Sequence, residues 1–147
     1  MEEPVNAIAF VVPGEPQGKG RARIVRIAGQ ARMATPAKTV AYEGLIAMAA
    51  QQAMAGAVPL DGPVLLEVDM VHVMPASWSK KKRAAAGLPT CKPDMDNVIK
   101  AVGDGCNGVV WQDDKQIAVI LAQRAWGERP EVRVRVAQLD ARRGAQC

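Results

Sequence analysis

The stretch KPDMDNVIKAVGDGCNGVVWQDDKQI, residues 92–117, changes character several times within one short run. It opens on a charged, proline-containing segment and passes into residues with helical periodicity. Advancing about 100° per residue from position 96 to 106 places Val98, Ile99, Val102 and Cys106 on one side. Asp96, Asn97, Lys100 and Asp104 fall on the other. This predicts an amphipathic helix, with Asp94 at its entrance, where a carboxylate meets unpaired N–H groups. Asn107-Gly108 is a turn signal. Beyond it, VVW and IAVILAQRAW are expected as two strands joined at an acidic corner, DDKQ.

Working outward, VNAIAFVV (5–12) predicts a strand closed by Pro13-Gly14, and GEPQGKGRAR a basic loop. IVRI and ARMA, separated by Ala28-Gly29-Gln30, predict a hairpin. Thr35-Pro36 reads as N-cap and first helical position of a helix running to about Ala55. GPVLLEVDMVHVM (62–74) predicts a strand rich in β-branched residues, and SWSKKKRAAAG a short basic helix capped by Ser77 or Ser79 and stopped by Gly87. EVRVRVAQ (131–138) alternates cleanly as a final, half-exposed strand. The fold class expected is a mixed α/β (α+β) domain of roughly five to seven strands and about three helices, a single domain over 1–147 with 139–147 as a flexible tail.

Composition narrows the chemistry. With 49% apolar and 23% charged residues, the chain is an ordinary globular one. The opening MEEPVNAIAFVVPG lacks the basic lead and cleavage site of a signal peptide, and no run reaches transmembrane length, so a cytoplasmic protein with no membrane partner is expected. Cys91, Cys106 and Cys147 have no paired spacing, which argues against a disulfide framework or a zinc site. His72 is the single histidine and sits in an apolar run, so it is expected in the core or sheet rather than as a ligand. Catalysis resting on imidazole is a poor fit; carboxylates and lysine are the remaining groups.

The charges are segregated. Between Glu15 and Glu43 there are no acids but Lys19, Arg21, Arg23, Arg26, Arg32 and Lys38; between Asp69 and Asp94 there are none but Lys80, Lys81, Lys82, Arg83 and Lys92. From Asp94 to Asp114 the balance reverses, with Asp94, Asp96, Asp104, Asp113 and Asp114 against Lys100 alone. Basic segments suit a polyanion, because neutralising phosphates releases counterions. A site that only held phosphate would not also gather aspartates.

Two readings of Asp94 and Asp96 are open on the residues alone. Asp94 caps the helix and Asp96 pairs with Lys100 one turn on, worth about 0.3–0.5 kcal/mol. Alternatively, the aspartates cradle a divalent cation. Hard oxygen donors without histidine or cysteine suit Mg²⁺ or Mn²⁺ rather than zinc. Lys100, on the face of Asp96, would then stabilise phosphate charge. Asp104 is expected in a supporting role, and Trp111 in the core.

The whole run resembles the signature of the RusA family of Holliday junction resolvases, in which Lys-Pro-Asp-x-Asp-Asn is followed by a lysine, an Asn-Gly turn and an Asp-Asp pair. PGEPQGKGRAR and PASWSKKKRAAAG resemble the family's basic loop and the segment before its motif. The resemblance implies a Mg²⁺-dependent endonuclease, Mn²⁺ substituting, that acts as a homodimer on four-way DNA junctions in recombination and repair. It would be bacterial or phage-encoded, cytoplasmic, and free of small-molecule cofactors. Asp94, Asp96 and one of Asp113 or Asp114, preferentially Asp114, would be the metal-binding catalytic carboxylates, and Lys100 the catalytic lysine. Lys19, Arg21, Arg23, Arg26, Lys80, Lys81, Lys82, Arg83 and Lys92 would contact DNA. Where the family loop often reads Arg-Pro-Arg, this chain has Arg21-Ala22-Arg23, leaving those arginines less rigidly placed. Cutting flaps or forks instead, or binding branched DNA without cutting it, are the other functions considered.

Overall fold

The computed structural model describes residues 6–139; Val5 of the first expected strand, and the expected tail apart from Leu139, lie outside them. Six strands and three helices form one α+β domain: β1 (Ala7–Pro13), β2 (Arg23–Ile27), β3 (Gln30–Ala34), α1 (Ala37–Met54), β4 (Val64–His72), α2 (Lys80–Ala85), α3 (Met95–Cys106), β5 (Ile117–Trp126) and β6 (Glu131–Gln138). The strands divide into a four-stranded sheet of order β1-β6-β4-β5 and a separate β2–β3 hairpin. In the main sheet β4 runs parallel to β5, and β6 is antiparallel to both β1 and β4.

Alternation along the strands makes the sheet two-sided. Val64, Leu66, Val68 and Met70 of β4, Val132, Val134 and Val136 of β6, and Phe10 and Val12 of β1 are buried. Each such side chain contributes about 1.5–3 kcal/mol on burial. The other face carries cross-strand polar pairs: Arg135 to Glu67 at 3.4 Å and Gln123 to Asp69 at 2.8 Å. Helices α1 and α3 cover the apolar face, contributing Tyr42, Ile46, Ala50, Val98, Val102 and Cys106 to the core. They cross closely at Gly105, where a Cβ would stand 2.7 Å from Ile46 Cγ2.

Three local expectations are corrected. VVW is not a strand. Val110 and Trp111 are fully buried; Trp111 makes only isolated bridges, to Leu60 and Asn107, the Val110 carbonyl accepts from Leu60 N–H at 2.7 Å, and the Trp111 indole N–H donates to Asn107 Oδ1 at 2.8 Å. They join the buried core, so the acidic corner is no hairpin; it is where the chain enters β5 after crossing over from the parallel strand β4. Second, α1 is entered through Pro36, whose ψ of 142° is extended and whose carbonyl accepts from Val40 N–H, and no side chain caps it. Thr35 therefore lies one residue too early to be the cap. Third, Gln30 belongs to β3: the hairpin turn is Ala28-Gly29 alone, both at positive φ (52° and 79°), the mirror-image turn that suits strand twist. That hairpin stands away from the body, with Ile24, Ile27 and Met33 exposed.

Ser79, one of the two caps considered for α2, accepts from Lys82 N–H at 3.1 Å. His72 and Trp111 are both buried, as expected. Among the described residues no helix is long and apolar enough to cross a membrane.

Candidate active site

Helix α3 begins at Met95 because Pro93 cannot continue a helix backwards and Asp94 takes an extended ψ of 141°. Its entrance is held from the sheet: Arg124 of β5 donates to the carbonyls of Cys91 (2.7 Å) and Pro93. The Lys92–Pro93 peptide bond is cis. From the other side the basic loop lies across the helix. Lys19 N–H donates to Asn97 O at 3.1 Å, and a Cβ on Gly18 would fall 2.9 Å from Asn97 Cβ, so only glycine lets the loop lie this close.

Neither structural use of the acidic pair is realised. The Asp94 side chain makes no capping hydrogen bond. Among the described residues the ion pairs are Lys19–Glu43, Lys19–Asp104, Arg133–Glu131 and Arg135–Glu67, so Asp96 and Lys100 are not paired. Asp94, Asp96 and Lys100 are all exposed.

The second acidic group is built differently. Asp113 caps a one-turn 3-10 helix, Asp114–Gln116, its Oδ1 accepting from Lys115 N–H at 2.9 Å. Gln116 completes the capping box and also donates to Leu60 O and Gly62 O at 2.9 and 3.0 Å, fixing the corner to the rest of the domain. The Lys115 N–H, with the Asp114 carboxyl beside it, pulls the Asp113 carboxyl below its ordinary value. Asp114 is exposed as a residue, yet its carboxyl is pushed up, first by partial desolvation against α3 and then by the Asp113 and Asp104 carboxylates. It lies against α3 at Gly103, where a Cβ would be 3.4 Å from Asp114 Oδ2.

Positions 96, 100 and 103 share one stripe of α3 at about 100° per residue. Asp96 thus starts a line that passes Lys100 and ends where Asp114 meets Gly103, a rise of about 10 Å at 1.5 Å per residue. Asp94 stands at the entrance to the same helix. Among the described residues no three His, Cys, Asp or Glu groups converge on one point ready to hold a metal ion. The donors nevertheless suit Mg²⁺ in kind: they are carboxylate oxygens, and the like-charge crowding at Asp114 is what a cation would relieve.

The predicted basic residues separate into two sets. Lys19 is consumed internally, bonding Asp104 and lying 3.4 Å from Glu43, and its pKa is raised chiefly by the Asp104 bond. Arg21, Arg23, Arg26, Lys80, Lys81, Lys82, Arg83 and Lys92 are exposed, with Arg83 also donating to the carbonyls of Trp78 (3.2 Å) and Pro75 (3.0 Å). Sequence reasoning missed Arg124 and Gln116. The first carries no local signal, because its partners are 31 and 33 residues away. The second was legible in the Asp-x-x-Gln spacing of a capping box.

An exposed, carboxylate-bearing helix face between exposed basic segments, on a two-layer α+β domain, defines the class by its structure. Comparison makes the class specific: the model of the family Endodeoxyribonuclease RusA matches residues 13–137, and the chain belongs to that family. It is also similar to the uncharacterized protein YqaN of Bacillus subtilis (strain 168), at 34% identity over 143 residues, covering 93% of this chain and 100% of the relative.

Proposed function

We propose that the protein is a divalent-metal-dependent endonuclease that resolves four-way DNA junctions by paired symmetric nicks, acting as a homodimer in recombination and repair. The observation that carries this reading is the unused polar face of α3: Asp94, Asp96 and Lys100 are exposed and unpaired with one another, and Asp114 meets the same helix at Gly103. Family membership supports the reaction class. Two symmetric nicks in one junction call for two active sites, which a homodimer supplies.

Asp94, Asp96 and Asp114, with Asp113 beside it, would hold Mg²⁺, with Mn²⁺ as a substitute. The bound ion supplies polarisation of the phosphoryl oxygen and a lowered pKa for water. Lys100, between the two acidic groups, offers a positive charge to the phosphate as negative charge develops on it. Arg21, Arg23, Arg26 and the Lys80–Arg83 run contact the backbone of the arms, while Lys19 braces the loop through Asp104. The products are nicked duplexes with 5′-phosphate and 3′-hydroxyl ends.

A labelled four-way junction, a fork, a flap and a linear duplex incubated with Mg²⁺ or with EDTA test the proposal. The junction is cut symmetrically with Mg²⁺ alone, and Asp94→Asn binds it without cutting. Preferential cutting of forks or flaps would move the substrate; binding without products at any metal concentration would remove the catalytic reading.

A further inference from the structure

Beyond the C-terminal ends of the parallel strands β4 and β5 lies an open cleft of about 630 Å³ that the proposed chemistry does not use. Its volume is within the range of about 300–1,000 Å³ typical of small-molecule sites. His72 and Trp126, paired across the two strand ends, form one wall. Trp78 continues that wall, edge-on to Trp126 with ring centroids 5.6 Å apart. Lys82 lies 4.7 Å over the Trp78 ring, Lys92 is at the rim, and Glu15 is the acidic group in the lining.

Aromatic residues are scarce in this chain, with three tryptophans, one tyrosine and one phenylalanine. Trp111, Tyr42 and Phe10 are spent in the core. The remaining two tryptophans are partly exposed, and both line this cleft. Trp126 is fixed by donating to Gly87 O at 2.7 Å, so the aromatic wall is rigid. Arg124 holds the rim at Cys91 and Pro93 by their carbonyls. His72 has its pKa lowered by burial and then by Arg124, so the ring facing the cleft is neutral at pH 7.

We infer that this cleft receives one unstacked nucleobase of the bound DNA strand, stacked on the aromatic wall with its flanking phosphates at the Lys82 and Lys92 ammonium groups, next to the phosphate that is cut. A base is flat and uncharged and stacks on aromatic rings whatever its identity, while the phosphates on either side of it take the lysines. Lys92 precedes Asp94 by two residues, which span at most about 7 Å; the base in the cleft is therefore a near neighbour of the phosphate presented to Asp94. Bases are least costly to unstack where a duplex is interrupted, as at the centre of a branched junction. The inference rests on the proposed function for its strand, and adds a determinant for where that strand is cut.

The test uses the Asp94→Asn protein and a four-way junction carrying 2-aminopurine beside the crossover. Trp78→Ala removes one stacking surface, Trp78→Phe restores it, and Ala85→Phe fills the cleft from an exposed helical position while leaving both tryptophans in the sequence. Trp78→Ala and Ala85→Phe are expected to weaken junction binding about ten-fold and to abolish the 2-aminopurine signal, with linear-duplex binding unchanged and Trp78→Phe near the parent. Junction affinity and signal unaltered in both Trp78→Ala and Ala85→Phe would overturn the inference. A second arm is independent of junction cutting: a short single-stranded oligonucleotide is expected to quench the tryptophan emission of the parent but not of Ala85→Phe. Equal quenching in both would sink the cleft even if junctions are cut. Quenching confined to the parent would sustain it even if they are not.

Discussion

Asp114 rests against Gly103 of α3, its Oδ2 only 3.4 Å from where a Cβ on that glycine would stand. This contact joins the acidic corner to the helix that carries Asp96 and Lys100, and it sets the carboxyl among like charges. Burial and the Asp113 and Asp104 carboxylates disfavour its ionised form.

The pH dependence of stability follows from that crowding. A carboxyl whose folded pKa is raised binds its proton more tightly in the folded state than in the unfolded one. Stability therefore falls as pH rises from the ordinary carboxylate value through the raised one, and the penalty is complete above it. Asp113, lowered, has the opposite sign and acts at lower pH. Asp114→Asn is expected to raise the Tm at pH 7 and to flatten the Tm profile in mild acid. Mg²⁺ should raise the Tm of the parent and not of Asp114→Asn. A parent-like profile in the variant would refute the crowding.

Asp94→Asn and Lys100→Met remove groups that make no capping bond or ion pair among the described residues. Each is expected to leave unfolding free energy within about 0.5 kcal/mol of the parent. Nuclease turnover is expected to fall by about 100-fold or more. Denaturant melts beside single-turnover cleavage separate the two effects.

The basic loop divides by role. Arg21→Ala and Arg23→Ala should each reduce the salt dependence of DNA binding by about one unit of log–log slope. Lys19→Ala should leave that slope nearly unchanged and lower the Tm, because it leaves Asp104 and Glu43 without their shared cation. Affinity measured across a salt series decides the assignment.

Two glycines with helical backbones should respond with opposite signs. Gly105→Ala drives a methyl to within 2.7 Å of Ile46 Cγ2 and is expected to cost about 1–3 kcal/mol. Gly44→Ala, with nothing within 4 Å, should stabilise by about 0.5–1 kcal/mol. Urea denaturation reads both directly.

Local physics alone specified much of this protein. The polar and apolar sides of α3, the turn at Gly108, the alternation of β6 and the existence of the β2–β3 hairpin are short-range patterns, set by backbone sterics and by which side chains tolerate water. The run from Lys92 to Ile117 also carried its family in its spacing, an order of aspartates, lysine and turn more specific than the capping and ion-pair use each residue has singly. What tertiary structure decided depends on partners distant in sequence. Val110 and Trp111 read as strand, yet the core needed their bulk between α3 and the sheet, and burial outweighed β-propensity. Lys19 read as a phosphate ligand, yet the loop folds back onto α3 and brings it to Asp104, 85 residues away. The pair of parallel strands, the Arg124 clamp and the aromatic cleft all arise from the β4–β5 pairing, which no local window contains. Sequence supplied the charges of the candidate site; only the packing of α3 against α1, the 114–116 turn and the basic loop decided which of them are left free to act.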